Sequence, residues 1–360
     1  MRLVDSSKPV RKLEHILKFF SLLMIFLLFI SLPLTSQATK HDGSDGGKVQ
    51  NPASELWRNV RQRGVPGAGS SQMKAVDANV LINVSGESWR QYRISELIPK
   101  ASIALFVGLL GVFLFRLLRG NIKLPDGRSG VKILRFTLNQ RVAHWCTAIL
   151  FITLALTGIV LLLGRNLLIP VIGSDGFGYI AAASKTLHDY LGPAFAVSLL
   201  ILFVLFVRDN FLSPKLDMQW LAKGGGMIGQ HASADRYNFG EKGWFWIAVL
   251  VGGAITISGL VLDFPIFEQS RETMEFYLVI HGIAALIMII ASFGHIYMGT
   301  AALEGTFEVM QTGYCDTNWA REHHDIWYEK VKDSAVESSY QAGTGSEDDG
   351  TQKESTDTAR

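Results

Sequence analysis

The stretch FYLVIHGIAALIMIIASFGHIYMGTAAL, residues Phe276 to Leu303, is long enough to cross a bilayer and carries no charged residue before Glu304. It contains His281 and His295, which are 14 residues apart. This spacing is nearly four helical turns, so both side chains lie on about the same face, roughly 21 Å apart along the axis. Imidazoles are uncommon at membrane depth and usually have a partner there. The pattern predicts two stacked sites, each suited to a haem iron.

The composition restricts the other classes of site. The 360 residues are 48% hydrophobic with a mean hydropathy of +0.23, and the net charge of +2 indicates no general attraction to nucleic acid. Two cysteines, Cys146 and Cys315, exclude a disulfide scaffold and a four-cysteine iron–sulfur cluster within the chain. The sequence has no Cys-x-x-Cys-His for c-type haem, and no Gly-x-Gly-x-x-Gly, P-loop or His-Glu-x-x-His motif.

The first 38 residues are predicted to be a signal peptide. Basic residues precede an apolar stretch from Phe19 to Leu34, and Ser36-Gln37-Ala38 is a small-x-small cleavage site. The alternative is an uncleaved N-terminal anchor helix. Either interpretation sends residues 39–99 across the membrane as a small periplasmic extension, with a short strand and turn expected at residues 81–84.

Five apolar runs predict five membrane helices, at Ala101–Phe115, Val142–Leu163, Leu187–Val207, Trp244–Leu262 and Phe276–Leu303. The 119–141 loop carries six Lys or Arg residues and the 208–243 loop five, whereas the 164–187 and 263–274 loops carry two and one. By the positive-inside rule, the first two loops and the C-terminus are cytoplasmic. This orientation agrees with an exported N-terminal extension.

Four histidines then fall at two depths. The helix directions place His188 and His281 near the periplasmic face, and His144 and His295 near the cytoplasmic face. Two pairs at matching depth, each joining different helices, are what two bis-histidine b-type haems require. We therefore expect His188 and His281 to hold an outer haem iron, and His144 and His295 an inner one.

Other residues near these depths have weaker assignments. Small residues let a macrocycle or a neighbouring helix approach closely, and the spans contain Gly158, Gly192, Gly252, Gly253, Gly282 and Gly294. Arg135 and Arg141 are placed where the propionates of an inner haem could reach, although the positive-inside rule alone explains them. Asp189 points about 100° away from His188 and is a poor candidate to orient that ring. His323 and His324 are expected to be solvated or interfacial.

The predicted fold class is an all-α membrane protein. A four-helix diheme cytochrome b bundle occupies residues 134–305, preceded by one extra N-terminal transmembrane helix at 100–119 and the small periplasmic segment. Residues 306–330 form a cytoplasmic C-terminal segment. Residues 331–360 are polar and acidic, cannot bury enough apolar area to fold, and are expected to be disordered.

From Leu134 onward the chain resembles the cytochrome b, or gamma, subunit of bacterial membrane-bound respiratory formate dehydrogenases. The matching stretches are RFTLNQRVAHWCTAILFITLALTGIVLL, HDYLGPAFAVSLLILFVLFVRDN, DRYNFGEKGWFW, LVIHGIAALIMIIASFGHIYMG and WAREHHDIWYEK. The two-histidine helix and the RYNFGEK loop are the specific parts. LWRNVR and SWRQYR, together with the extra first helix, resemble the longer family form that has a periplasmic extension.

The resemblance implies a place in an electron-transfer chain of the bacterial inner membrane. A periplasmic catalytic subunit with a molybdenum or tungsten pterin oxidises formate, and an iron–sulfur subunit passes electrons to the outer haem. The inner haem passes them to a quinone, menaquinone or ubiquinone, near the cytoplasmic face. The family's haem ligands correspond to His144, His188, His281 and His295. Asn238 and Gly240 correspond to the loop that lines the quinone pocket. No residue for formate oxidation itself is expected in this chain.

Three alternatives remain from the sequence. The chain could be the cytochrome b subunit of a hydrogenase or of another periplasmic oxidoreductase, since such diheme bundles are shared modules. The histidines could instead form a proton or metal path in a transporter, although transporters usually have acidic partners or broken helices at mid-membrane. The third is a structural anchor without haem, which the pairing of histidines by depth disfavours.

Overall fold

The computed structural model describes residues 85–226, 230–264, 266 and 269–337, and this part contains five helices long and apolar enough to span a membrane. They are α1 (Gly86–Arg119), α2 (Leu138–Leu167), α3 (Ile169–Phe206), α5 (Phe239–Asp263) and α6 (Arg271–Tyr297). A short helix α4, Pro214–Ala222, lies between α3 and α5. The predicted number of spans is therefore present in the described part of the chain. The predicted signal peptide and most of the periplasmic extension lie outside it.

Helix α1 is longer than the predicted 15 residues. It starts at Gly86, includes a π-helical turn at Arg93–Leu97, and ends at Arg119. The additional turns are polar, so hydropathy does not detect them, but ion pairs at i,i+3 and i,i+4 spacing support them. These pairs join Glu87 to Arg90 at 2.7 Å and Glu96 to Lys100 at 2.5 Å. The strand and turn predicted at residues 81–84 lie outside the described residues.

Helix α2 has a clear local signal at its start, and helix α3 starts earlier than predicted. A capping box at Thr137 and Gln140 opens α2, in which each side chain accepts from the other residue's backbone N–H. Helix α3 begins at Ile169, not near Leu187, so most of the predicted 164–187 loop is helical. The segment is interrupted only at Gly173, where φ is 74°. Alanines at 181–183 have a high helix propensity, so this segment is helical although its low hydropathy predicts a loop.

The spans form a four-helix bundle with α1 on its outside. Helix α2 packs against α3, α5 against α6, and α3 also contacts α5. Helix α1 packs against α6, where a Cβ built on Gly108 would lie 2.8 Å from the Ile290 side chain. Further along this contact the rings of Phe115 and Tyr297 meet edge to face with centroids 6.0 Å apart. Glycine at position 108 therefore allows the close approach of α1.

A small folded unit, called the end module here, combines the segment just before α2 with the chain that follows α6. It contains helices α7 (Thr306–Thr312), α8 (Thr317–His323) and α9 (Asp325–Val331). Its antiparallel sheet has the order β2–β1–β3, with β1 at Val131–Leu134, β2 at Tyr314–Asp316 and β3 at Val336–Glu337. Ile133 pairs with Cys315 and Lys132 with Val336. The sheet is an addition to the predicted all-α class.

The end module has a buried core and is not a simple extended segment. Its core contains Ile133, Phe136, Val309, Cys315, Trp319 and Trp327. Strand β3 falls inside the tail predicted to be disordered, so the ordered chain continues to Glu337. Residues 338–360 lie outside the described residues. The core combines residues that precede α2 in the sequence, Ile133 and Phe136, with residues that follow α6. This packing fixes the end module against the ends of the spans.

Candidate functional site

The four predicted histidines form two pairs. The ring centroids of His188 on α3 and His281 on α6 are 6.0 Å apart, and those of His144 on α2 and His295 on α6 are 6.2 Å apart. Two imidazoles that ligate one metal from opposite sides, at about 2 Å per bond, keep their centroids about 6 Å apart. Both pairs therefore have the spacing that a metal between the rings requires.

Hydrogen bonds set the protonation of the outer pair. The Nδ1 atom of His281 lies 3.1 Å from the carbonyl oxygen of Ile255 and 3.2 Å from Ser258 Oγ. A carbonyl oxygen only accepts, so Nδ1 of His281 carries the hydrogen. Its Nε2 atom is then the unprotonated nitrogen, which is the form that binds a metal.

The same result follows for His188 by a different route. Its Nδ1 atom is 2.8 Å from Thr157 Oγ1, and that hydroxyl also lies 2.9 Å from the carbonyl oxygen of Thr153. The single hydroxyl hydrogen is donated to the carbonyl, so the threonine oxygen accepts from Nδ1–H of His188. Sequence reasoning missed both Thr157 and Ser258, because their positions on helices say nothing about which ring they meet.

Two glycines leave room for the outer rings. A Cβ built on Gly158 would lie 3.3 Å from Cε1 of His188, and one built on Gly259 would lie 3.1 Å from Cε1 of His281. Gly158 was among the glycines singled out in the sequence, whereas Gly259 was not. Each glycine faces one histidine of the outer pair from a neighbouring helix, so both rings are seated against backbone.

The inner pair is placed by aromatic contacts. His295 stacks on Trp244 with centroids 4.3 Å apart and planes at 10°, and His144 meets Trp145 edge to face at 5.2 Å. His144 Nδ1 is buried and has no hydrogen-bond partner among the described residues. Among the described residues, His144 thus lacks the hydrogen bond that sets the tautomer at each outer ring.

The donor set suits haem better than a metal ion held by side chains alone. Across the described residues, no group of three or more His, Cys, Asp and Glu side chains is arranged to hold a metal ion. A haem iron needs only axial ligands from the protein. Two pairs of imidazoles with ring centroids about 6 Å apart fit that need, and in the outer pair the ligating nitrogen is unprotonated.

Asn238 and Gly240 lie at the start of α5. Asn238 is the N-cap residue, and its Oδ1 accepts from the Glu241 backbone N–H at 3.0 Å while Glu241 accepts from the Asn238 N–H. A Cβ built on Gly240 would lie 3.3 Å from the Trp220 ring. The cap explains the asparagine without a ligand and uses only its carbonyl oxygen.

The two arginines assigned to haem propionates have other partners. Arg135 is 3% exposed, and its Nη2 donates to the Arg236 carbonyl at 2.7 Å and to Glu241 at 3.0 Å. Its guanidinium also lies over the rings of Phe136, Tyr237, Trp319 and Trp327. Arg141 donates to the carbonyl of Gln311 at 2.8 Å. Arg135 is therefore part of the core that joins the end module to the bundle.

Two further expectations have clear outcomes. Asp189 forms an ion pair with Lys185 at 2.5 Å and does not orient His188, as predicted. The prediction that His324 is solvated or interfacial is wrong, because its side chain is fully buried beside Trp319. Its neighbour His323 is half-buried against the same indole. The polar composition of the WAREHHD stretch does not indicate that the C-terminal end of α8 lies in the core of the end module.

The sequence matches known cytochromes b over the same region. The profile of the family described as prokaryotic cytochrome b561 matches residues 135–313. The formate dehydrogenase cytochrome b556(fdo) subunit of Escherichia coli (strain K12) is 31% identical over 207 residues, which are 56% of this chain and 93% of that protein. The nitrate-inducible cytochrome b556(Fdn) subunit of the same strain is 29% identical over 59% of this chain and 97% of its own length. The formate dehydrogenase cytochrome b556 subunit of Haemophilus influenzae is 24% identical over 58% of this chain and 87% of its own length.

Proposed function

The chain belongs to the family of formate dehydrogenase cytochrome b subunits, and from this membership we propose that it carries electrons from a formate dehydrogenase to quinone through two b-type haems. Cytochromes b bind haem of the b type, so this chain is a membrane haem protein and an electron-transfer subunit of an enzyme complex. The observation that carries the proposal is the presence of two histidine pairs with nearly equal spacing.

We assign His188 and His281 to the outer haem and His144 and His295 to the inner one. When bound, each b haem supplies one-electron transfer. The contribution of the chain is to hold the axial nitrogens. Thr157 and the Ile255 carbonyl keep the outer rings in the ligating tautomer, and Trp244 fixes the plane of His295. Hydrogen bonds to axial histidines raise their basicity, so these contacts also affect the haem potential.

Quinone is the proposed electron acceptor, bound near Asn238 and Gly240 at the same end as the inner pair. Helix α5 connects this site to the inner pair, because Trp244 lies one turn beyond Gly240 and stacks on His295. The Asn238 amide N–H₂ group, which the cap does not use, is a suitable donor to a quinone carbonyl. The quinone is menaquinone or ubiquinone.

The proposed partners and orientation follow from the family and the charge pattern. A catalytic subunit with a molybdenum or tungsten pterin and an iron–sulfur subunit would dock on the periplasmic side, near His188 and His281. The basic loops support a cytoplasmic position for the end module, in a bacterial inner-membrane protein. Electrons would then cross inward while protons are taken up from the cytoplasm, and charge is separated without a pump.

A hydrogenase or another periplasmic oxidoreductase is the second candidate for the partner, since the matching profile is that of cytochrome b561 in general. The three relatives named above are all formate dehydrogenase subunits, which favours formate. A histidine-lined transporter is disfavoured for two reasons. Within each pair the two imidazole rings lie about 6 Å apart, and among the described residues no carboxylate is hydrogen-bonded to any of the four histidines.

The haem content of the purified chain tests the assignment. We expect a pyridine haemochrome count of two b haems per chain, His281→Ala to lose the outer haem, and His295→Ala to lose the inner haem together with quinone reduction. Each variant should keep the other haem. If either variant retained both haems in full, the pairing would be wrong, and a chain without haem would bring the transporter forward.

A further inference from the structure

Each histidine of the outer pair meets a hydroxyl residue that is followed by a glycine. The two dipeptides are Thr157-Gly158 on α2, within ALTGIVLL, and Ser258-Gly259 on α5, within TISGLVLD. The hydroxyl oxygen lies 2.8 Å from Nδ1 of His188 in the first and 3.2 Å from Nδ1 of His281 in the second. A Cβ built on the glycine would lie 3.3 Å or 3.1 Å from Cε1 of the same ring. Two different helices therefore present the same arrangement to the two outer rings.

The hydrogen of each hydroxyl is already donated to the helix backbone. Thr157 Oγ1 lies 2.9 Å from the carbonyl oxygen of Thr153, and Ser258 Oγ lies 2.6 Å from that of Ala254. A hydroxyl has one hydrogen, so each oxygen can only accept from the imidazole. An acceptor at Nδ1–H makes the ring more basic at Nε2, the nitrogen that binds a metal. Both contacts therefore act on the outer ligands in the same direction.

The inner pair has different contacts. Nδ1 of His144, on the same helix as Thr157, is buried without a hydrogen-bond partner among the described residues. His295 stacks on Trp244 with the two planes at 10°, and an N–H group in the plane of the imidazole does not point at the indole face in such a stack. The increase in basicity is thus present at both outer ligands and missing at His144.

We propose that Thr157 and Ser258 lower the midpoint potential of the outer haem below that of the inner haem; this inference rests on the proposed function. A more basic imidazole stabilises ferric iron, which has the higher charge, more than ferrous iron. Transfer between the sites moves one electron, which oxidises the outer iron and reduces the inner one. No bond forms or breaks, and no proton moves. The two hydroxyls thus make transfer from the outer to the inner site favourable within the chain itself.

The two hydroxyls should have unequal effects. Thr157 is the closer of the two to its ring, and Nδ1 of His281 keeps a second acceptor, the Ile255 carbonyl at 3.1 Å, when Ser258 is replaced. We expect Thr157→Val to weaken the hold on ferric relative to ferrous iron by roughly tenfold, which raises the outer midpoint by about 59 mV. Ser258→Ala should raise the same midpoint by a smaller amount.

A redox titration of the purified full chain, followed by the haem absorption bands, measures both midpoints without any quinone. Wild type should titrate as two one-electron components of unequal potential, and His281→Ala should lose the lower one. We expect Thr157→Val to raise the lower midpoint and to leave the higher one unchanged. Thr157→Ser keeps the hydroxyl and should restore the wild-type value. A residue that acted only in packing would change the haem content without this rescue of the potential.

Two control variants remove hydroxyls that do not bind a histidine. Thr153→Val acts one turn earlier on α2, where the hydroxyl donates to the Ile149 carbonyl at 2.9 Å. Ser102→Ala acts at a buried serine on α1, where the hydroxyl donates to the Ile98 carbonyl at 2.9 Å. Both variants should keep the two wild-type midpoints. Equal shifts in Thr153→Val and Thr157→Val would assign the effect to the helix and overturn the proposal.

The possible outcomes separate this inference from the proposed function. A rise of the lower midpoint in Thr157→Val, with a smaller rise in Ser258→Ala, supports the inference. Equal midpoints in wild type, unchanged midpoints in both variants, or a shift of the higher midpoint overturn it and leave the two-haem assignment standing. A wild-type chain without haem overturns both. Should Thr157→Val lose the outer haem, Ser258→Ala alone decides.

Discussion

At the scale of single residues, Thr157 holds the outer site through one hydrogen bond. Its hydroxyl oxygen accepts from Nδ1 of His188 at 2.8 Å. We expect Thr157→Val, which keeps the side-chain shape, to lower the affinity of the outer haem by roughly tenfold, the usual effect of losing an outer partner of a metal-binding histidine. Haem titration of the apoprotein in detergent measures this change.

Thr153→Val is the matched control for this experiment. Thr153 is one turn away on α2 and its hydroxyl donates to the Ile149 carbonyl, not to a histidine. Its haem affinity should equal that of wild type. Equal losses in both variants would mean that Thr157 acts only through the helix, and its role at His188 would be rejected.

The stability of the end module should depend on pH through two histidines. Burial lowers the pKa of His323 to about 4, and it lowers that of His324 well below its usual value. Below pH of about 6.5 the unfolded chain binds protons that the folded chain does not bind, so the free energy of unfolding falls as pH falls. The expected slope is at most about 1.4 kcal/mol per pH unit for each histidine.

Thermal unfolding between about pH 7.5 and pH 5, followed by tryptophan fluorescence, measures this slope. The two pH limits lie above and below the ordinary histidine pKa, about one to two units away from it. His323→Gln should make the pH dependence shallower, because it removes one of the two buried imidazoles. A pH dependence that is the same in wild type and His323→Gln would contradict the prediction.

Sequence reasoning found the residues that depth alone identifies. His144, His188, His281 and His295 could be paired because helix direction fixes how deep each lies. Thr157 and Ser258 could not be predicted, since which side chain meets which ring depends on helix rotation and packing. The same limit applies to His324, whose burial results from contacts with residues about 90 positions away.

At the scale of the helix, Gly259 tests how closely α5 approaches α6. A methyl group at this position would lie 3.1 Å from Cε1 of His281. We expect Gly259→Ala to displace the ring and weaken outer-haem binding, by an overpacking cost of about 1–3 kcal/mol. The pyridine haemochrome count after purification, compared with wild type, measures the loss.

The control is Gly111→Ala on α1, where a Cβ would meet nothing within 4 Å. This variant should keep the wild-type haem count, because alanine has a higher helix propensity than glycine and its methyl group would not clash at this exposed position. Full haem content in Gly259→Ala would show that α5 can move away from His281, and the tight seat inferred for the ring would be incorrect.

Helix bounds show where hydropathy stops being informative. The core of each span was predicted, but α1 and α3 extend well beyond the apolar runs. Their extra turns are polar or rich in small residues, and are supported by ion pairs such as Glu87–Arg90 and by alanine propensity. The mean hydropathy of such turns is low, so a hydropathy window predicts them as loops. The ends of the spans are therefore the least accurate part of the prediction.

At the scale of the whole molecule, the orientation in the membrane can be measured with single cysteines. In a Cys146→Ser background, where Cys315 is 2% exposed and unreactive, Asp175→Cys lies at the start of α3 and Glu322→Cys in the end module. We expect a membrane-impermeant maleimide added to intact spheroplasts to label position 175 only. Both positions should react after permeabilisation.

The charge distribution is the reason for this expectation, because Lys and Arg concentrate in the loops next to the end module. Labelling of position 322 in intact spheroplasts would reverse the orientation. It would also move the quinone end of the proposed electron path to the periplasm. The cysteine-free double variant Cys146→Ser, Cys315→Ser is the control for background labelling.

The overall architecture was predictable in its membrane part and not in its end module. Long apolar runs identify spans because a bilayer demands them. The end module is built from short strands whose pairing joins Ile133 to Cys315, far apart in sequence, and a buried Arg135 links it to Glu241. No local periodicity encodes such pairing, which arises only when the chain is folded.

The difference between the two histidine pairs has a consequence for assembly of the protein. Hydrogen bonds hold His188 and His281 in the ligating tautomer, whereas His144 Nδ1 has no such bond among the described residues. A receptor whose groups are already set loses less entropy on capture. During biogenesis under scarce haem, the His188–His281 site would accordingly fill first. Under the proposed electron path, a half-loaded precursor would be able to accept electrons before it could deliver them.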